Sequence, residues 1–337
     1  MRCALLFPLL CLFLGCTPHA KEAPPLTVTQ AQKKLEDKCR EEFDLHIITR
    51  QTGNTFWIYL PLNEPIFDYE SKKEVSLGDE RKTPKLNLQY ADAHFKDGQF
   101  VLEYDVVTLK KSSQEDYGFS SAYTDSYVKK QNNLFTAISD VFFNTKAGGG
   151  EKLPEFFIMV ITDIKKGIET RGTFYLEDFE RYMTGDLPYD EYMKRFLADT
   201  KGGQSMIGDE TGTHLDYKPI LMPDFLSKQM VNRIRFKFQR SDFAPADDYD
   251  KTVAAIAADT LRYYDFKDFT GVQLNNLRQD KKYSFDKTQL AALGDDAPAS
   301  RKRPRGKLIH IRFDNGEAHF DDEPSPDTNS TNQESAK

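Results

Sequence analysis

Gln99-Phe100-Val101-Leu102-Glu103-Tyr104-Asp105-Val106 is the stretch from which the fold class follows. Phe100, Leu102, Tyr104 and Val106 alternate with Glu103 and Asp105, the two-residue period of a strand with one face in a core and the other in water. Residues 86–95 precede it across Lys96-Asp97-Gly98, so the pair reads as a β-hairpin. The same pattern recurs along the chain. Residues 45–51 and 55–62 flank Thr52-Gly53-Asn54, 155–162 and 167–175 flank Lys165-Lys166-Gly167, and 270–277 pair with 282–285.

Between the hairpins the period changes to that of helices. Residues 29–44 start behind Thr27 or Thr29 and repeat Ala31, Leu35, Cys39 and Phe43 at four-residue steps. Residues 123–144 place Leu134, Phe135, Ile138, Val141 and Phe142 on one side and stop at Ala147-Gly-Gly-Gly150. Shorter helices are expected at 176–183, 188–198 and 223–230, and a longer one at 247–264 behind Asp247, Asp248 and Asp250, whose charge favours a helix N-terminus. In residues 233–239, Ile234, Phe236 and Phe238 alternate with Arg233, Arg235 and Lys237, which predicts a strand with one apolar and one basic face. The expected fold is α+β: antiparallel hairpins packed with amphipathic helices. It forms a globular domain over 29–293, with room for two subdomains meeting near 200–222, and no transmembrane helix in the mature chain. Residues 294–337 read as a linker carrying Arg301-Lys-Arg-Pro-Arg305, a hairpin over 307–320 turning at Asn315-Gly316, and a disordered tail.

The N-terminus carries a different signal. Arg2 is the sole charge ahead of Leu12-Phe13-Leu14-Gly15-Cys16, which closes an uncharged apolar run. That run is shorter than the about 20 residues a membrane-spanning helix needs, and it suits the core of a signal peptide. The stretch resembles the lipobox of bacterial lipoproteins, departing from it at Phe13 and Leu14. The resemblance implies removal of residues 1–15, a lipid on Cys16, and a tether over 16–28 containing Pro18, Pro24 and Pro25. It also implies a chain held at the outer membrane and facing the periplasm, because Thr17 is not the Asp of inner-membrane retention.

The other cysteines agree with this reading. Cys3 and Cys11 leave with the signal, so Cys39 is left without a disulfide partner and is expected as a buried structural thiol. The composition is that of a packed protein, with 39% hydrophobic, 12% aromatic and 29% charged residues in 337. The formal charge of −7 demotes nucleic acid as a partner, since such binding neutralises phosphates with Lys and Arg.

Signatures of catalysis are sparse. Gly203-Gln-Ser-Met-Ile207 and Gly118-Phe-Ser-Ser-Ala122 lack the last glycine of a nucleophile elbow. Ser126-Tyr-Val-Lys129 and Ser284-Phe-Asp-Lys287 match S-x-x-K without its companion motifs, and H-E-x-x-H, Walker A and G-x-G-x-x-G do not occur. The densest polar constellation is Gly208-Asp-Glu-Thr-Gly-Thr-His-Leu-Asp-Tyr217. If residues 213–217 are extended, His214 and Asp216 share a face, and Asp209 or Glu210 returns across Gly212 to complete a metal set.

A second candidate is the basic face of Arg233, Arg235 and Lys237, suited to an anionic partner. The leading expectation is a non-enzymatic envelope protein without a cofactor. It would be bound to the membrane through Cys16 and would bind or scaffold an envelope protein or cell-wall polymer. The alternative is a hydrolase or metal-dependent enzyme with its site around His214 and Asp216.

Overall fold

The computed structural model describes residues 26–68, 85–109, 122–143, 153–238, 248–293, 310–314 and 317–321. The Leu12-to-Cys16 signal, most of the tether, the Arg301-to-Arg305 cluster and the C-terminal tail lie outside the described residues.

In chain order the elements are α1 (Val28–Phe43), β1 (Ile48–Thr52), β2 (Thr55–Leu62), β3 (Phe67–Asp68), β4 (Lys85–Lys96), β5 (Gln99–Leu109), β6 (Ala122–Tyr123) and α2 (Asp125–Phe142). Then come β7 (Phe156–Asp163), β8 (Ile168–Tyr175), α3 (Leu176–Met183), α4 (Tyr189–Arg195), β9 (Leu197–Gly202), α5 (Met222–Phe238) and α6 (Tyr249–Tyr263). The last are β10 (Gly271–Asn276), β11 (Lys281–Asp286), α7 (Lys287–Leu293), β12 (His310–Asp314) and β13 (Glu317–Asp321). The fold is α+β, and no described helix is long and apolar enough to cross a membrane.

Two mixed sheets carry the architecture, one in the order β1-β2-β7-β8-β9 and the other β11-β10-β5-β4. Each is built from two antiparallel hairpins joined through a parallel central pair, β2 with β7 and β5 with β10. The junctions match in detail. The residue before β7 donates to the first turn (Glu155 N to Asn54 O, 2.8 Å), as does the residue before β10 (Thr270 N to Gly98 O, 2.7 Å). At the far ends Ile164 N donates to Leu62 O and Leu277 N to Tyr104 O, at 3.0 and 2.9 Å. In both sheets a helix follows the last hairpin strand directly, α3 after β8 and α7 after β11.

The chain therefore contains one architecture twice, and the copies are interleaved. The β4–β5 hairpin of the second unit falls between β2 and α2 of the first. Residues 203–221 pass from the first unit to the second, and each unit is assembled from two separated segments.

In the first unit, α1 and α2 cover one face of the sheet. Phe56, Ile58, Leu60, Phe157 and Met159 pack there against Leu35, Cys39, Leu134, Ile138 and Phe142. Thr27 caps α1 with a reciprocal capping box, and burial pushes the Cys39 thiol up to about 12, as befits an inert core group. In the second unit Phe100, Leu102, Tyr104 and Val106 pack against α5, α6 and α7.

One predicted element is corrected. Residues 233–238 are not a strand but the end of α5. Leu226, Met230, Ile234 and Phe238 fall four apart and are all buried, so the helical stripe begun at Leu226 continues through the alternating segment, leaving Phe236 exposed. The edge strand β9, the short helix α7 and the two-residue strands β3 and β6, which pair with each other, were not expected. The C-terminal hairpin is present as β12 paired with β13.

The units meet through buried charges. Arg195 on α4 donates to Asp178 on α3 (2.6 Å) and to Glu191 (3.0 Å), and Arg233 on α5 donates to the same Glu191 oxygen (2.6 Å). Tyr264, at the end of α6, donates to the other Asp178 oxygen, and both guanidiniums lie over the Tyr263 ring at 4.9 and 4.8 Å. Such a network adds little net stability but penalises any arrangement that unpairs it.

Candidate functional site

The face of the first sheet opposite α1 and α2 is covered by residues 203–221, which hold one 3-10 turn at Gln204–Met206 and no α-helix. The register puts Trp57, Tyr59, Ile158, Val160, Glu169 and Arg171 on that face. Leu215 and Tyr217 seal its apolar part. The covering segment is pinned by Gly208 N to Ile164 O (2.8 Å), Trp57 Nε1 to Lys218 O (3.2 Å) and Ile220 N to Thr55 Oγ1 (2.7 Å). Gly212 is required here. Its φ is +71°, and a Cβ would meet the Tyr217 hydroxyl at 2.5 Å and the Tyr59 ring at 3.0 Å.

His214 lies at the centre of this covering, with its side chain 5% exposed. Nδ1 is 2.6 Å from Asp209 Oδ2, and Nε2 is 2.9 Å from Glu169 Oε2. Asp209 also accepts from the backbone N–H groups of His214 and Thr211 and from the Thr211 hydroxyl. Burial works against the Asp209 charge, but these donors outweigh it and hold the carboxyl well below the ordinary carboxylate range. Glu169, 1% exposed, accepts from Arg171 at 3.1 Å, and Arg171 lies 5.5 Å from the Trp57 ring centre. The Tyr59 ring meets His214 edge-on at 5.6 Å, its hydroxyl donates to the Asp209 carbonyl, and burial raises that hydroxyl to about 12.

Of the predicted metal set, Asp209 and His214 come together but Asp216 does not. Asp216 is 54% exposed and pairs with Lys218 at 3.2 Å. Glu169 supplies the second carboxylate instead, on the opposite side of the imidazole ring, so no single ion reaches both carboxylates through the ring nitrogens. Among the described residues no group of three His, Cys, Asp or Glu is arranged to hold a metal.

The predicted basic face also divides. Arg233 is 8% exposed and committed to Glu191, while Arg235 and Lys237 are exposed on α5. An open concavity of about 620 Å³ lies elsewhere, between the first turn of α1 and β1. Neutral groups such as Thr29, Gln32 and Gln51 line it with Arg50, and the His214 cluster does not.

Glu169, Arg171 and Tyr59 were missed as site residues. Glu169 and Arg171 follow the two-residue period of a strand, but that pattern reads equally as a solvated face. No family model matches the chain, and comparison with curated proteins and with solved structures gives no match.

Proposed function

We propose that the chain is a lipid-anchored envelope protein. It is held through Cys16 at the outer membrane, facing the periplasm, and its α+β body binds or scaffolds an envelope protein or cell-wall polymer rather than catalysing a reaction. The lipobox-like Leu12-to-Cys16 stretch supports the anchoring. The observation that carries the non-catalytic half is the closure of His214: both ring nitrogens face carboxylates, and the side chain is 5% exposed. A general base needs a free nitrogen within reach of a substrate proton. The enzyme alternative around His214 and Asp216 has lost its ligand set, since Asp216 turns to Lys218.

Mass spectrometry of the mature chain tests the anchor. The expected result is an N-terminal Cys16 carrying a diacylglycerol thioether, with Cys16→Ser moving the protein out of the membrane fraction. An unmodified Cys16 in a soluble chain overturns the localisation. Co-purification from detergent extracts tests the body, where a stoichiometric protein or glycan partner is expected.

A further inference from the structure

The outer edge of β9 is open. β9 ends the first sheet on one side, pairs with β8 alone among the described residues, and has five of its six residues exposed. Two of the other sheet edges are blunted. Gln32 on α1 donates to the Thr49 carbonyl of β1 at 3.1 Å, and β4 carries a register shift between Leu88 and Tyr90. β9 runs against β8 without a shift and contains no proline, so its unpaired backbone is a regular template for another strand.

The register fixes which groups face outward. Gly203 N donates to Gly167 O at 2.9 Å, so in this antiparallel ladder Asp199 and Lys201 bond back to Arg171 and Glu169. The N–H and C=O groups of Ala198, Thr200 and Gly202 therefore point away from the sheet. The side chains add a charge pattern, with Asp199 beside Arg171 and Lys201 beside Glu169, all on the face that carries the 203–221 covering. Within the strand Asp199 and Lys201 pair with each other at 3.4 Å.

We propose that β9 is a dimer edge: two copies of this chain join β9 to β9, antiparallel, about a two-fold axis through Thr200, so that their first sheets become one. In that register Thr200 faces Thr200 and Ala198 faces Gly202, each exchanging both main-chain hydrogen bonds with its counterpart. Asp199 then lies opposite Lys201 of the second copy, twice over. Across β8, β9 and the β9 and β8 of the second copy the charges alternate as Arg171, Asp199, Lys201 and Glu169. Moving the axis by one residue sets Asp199 against Asp199 or Lys201 against Lys201, and like charges directly opposite oppose pairing. The strand is thus complementary to itself in one register. A strand edge is smaller than a standard interface of about 1,200–2,000 Å², so the dimer is concentration-dependent.

The full chain is followed by analytical ultracentrifugation up to about 1 mM, the range in which weak association is read. A monomer–dimer equilibrium is expected. Thr200→Pro removes the N–H on the axis but no bond to β8, and should leave monomer. Lys201→Asp and Asp199→Lys should each dimerise about tenfold more weakly alone, and mixing the two should restore the dimer, since opposite charges then meet at both positions. The register is read by cysteine. Thr200→Cys should give a cross-linked dimer with a short bis-maleimide, whereas Ala198→Cys should not, its two copies being four residues, about 14 Å, apart along the strands. Wild type controls for the native thiols. Monomer at every concentration, a dimer unmoved by Thr200→Pro, or charge variants that do not recover on mixing overturns the proposal. Should those variants lose their circular dichroism, equal cross-linking of Thr200→Cys and Ala198→Cys, or none at Thr200→Cys, overturns it instead.

Discussion

The two units share a topology and differ in how many faces of their sheet are covered. In the first, all eight residues of β7 are buried and β2 is buried at seven of its eight positions. In the second, β5 alternates, with Phe100, Leu102, Tyr104 and Val106 inside and Val101, Glu103 and Asp105 partly in water. A sheet sealed on both faces needs consecutive apolar residues, whereas a one-sided sheet needs alternation. The same hairpin–helix–hairpin plan therefore tolerates two unlike sequences, and what separates them is the covering segment 203–221.

The comparison can be broken most severely at the doubly covered sheet. Phe157→Ala, in β7 and fully buried, is expected to cost about 3–5 kcal/mol in urea denaturation, whereas Val101→Ala on the wetter face of β5 should cost well under half as much. The junction between the units comes next. Asp178→Ala removes the acceptor of Tyr264 and one of the two carboxylates on Arg195 and should cost about 3–5 kcal/mol, while the paired change Asp178→Leu with Arg195→Met should recover part of it.

Within the covering segment, Gly212→Ala should cost about 1–3 kcal/mol through its positive φ and its contact with the Tyr59 ring and the Tyr217 hydroxyl. Asp209→Asn should cost about 1–3 kcal/mol at neutral pH. Because the native Asp209 carboxyl is depressed, its contribution is present above the ordinary carboxylate range and fades as pH falls, so the gap between wild type and variant should narrow in acid. Arg235→Ala, exposed on α5, should stay within about 0.5 kcal/mol, in contrast to its buried neighbour Arg233 on the predicted basic face.

The sequence reports the hairpins and the long helices because both are set by local periodicity and turn residues. All four hairpins of the sheets, α1, α2 and α6 follow from that. The pairing across units does not: β5 meets β10 in parallel, and no local pattern encodes it. Residues 233–238 misled because arginine and lysine between apolar residues imitate a strand, while the deciding stripe at Leu226, Met230, Ile234 and Phe238 starts about two turns earlier. The site was half legible. Asp209 and His214 stand close in sequence and do meet, but Glu169 lies 45 residues earlier and was buried by a fold that had first to be known.

The interleaving also sets a timetable for synthesis. Gly98, at the tip of the β4–β5 hairpin, waits 172 residues for Thr270, the start of its partner segment. At roughly 5–20 residues per second the edge of β5 stays uncovered for about 10–30 s, a window in which an unpaired strand invites aggregation. A chain cut anywhere between β5 and β10 would carry half a sheet with nothing to close it, so fragments ending there should be found in inclusion bodies or bound to chaperones.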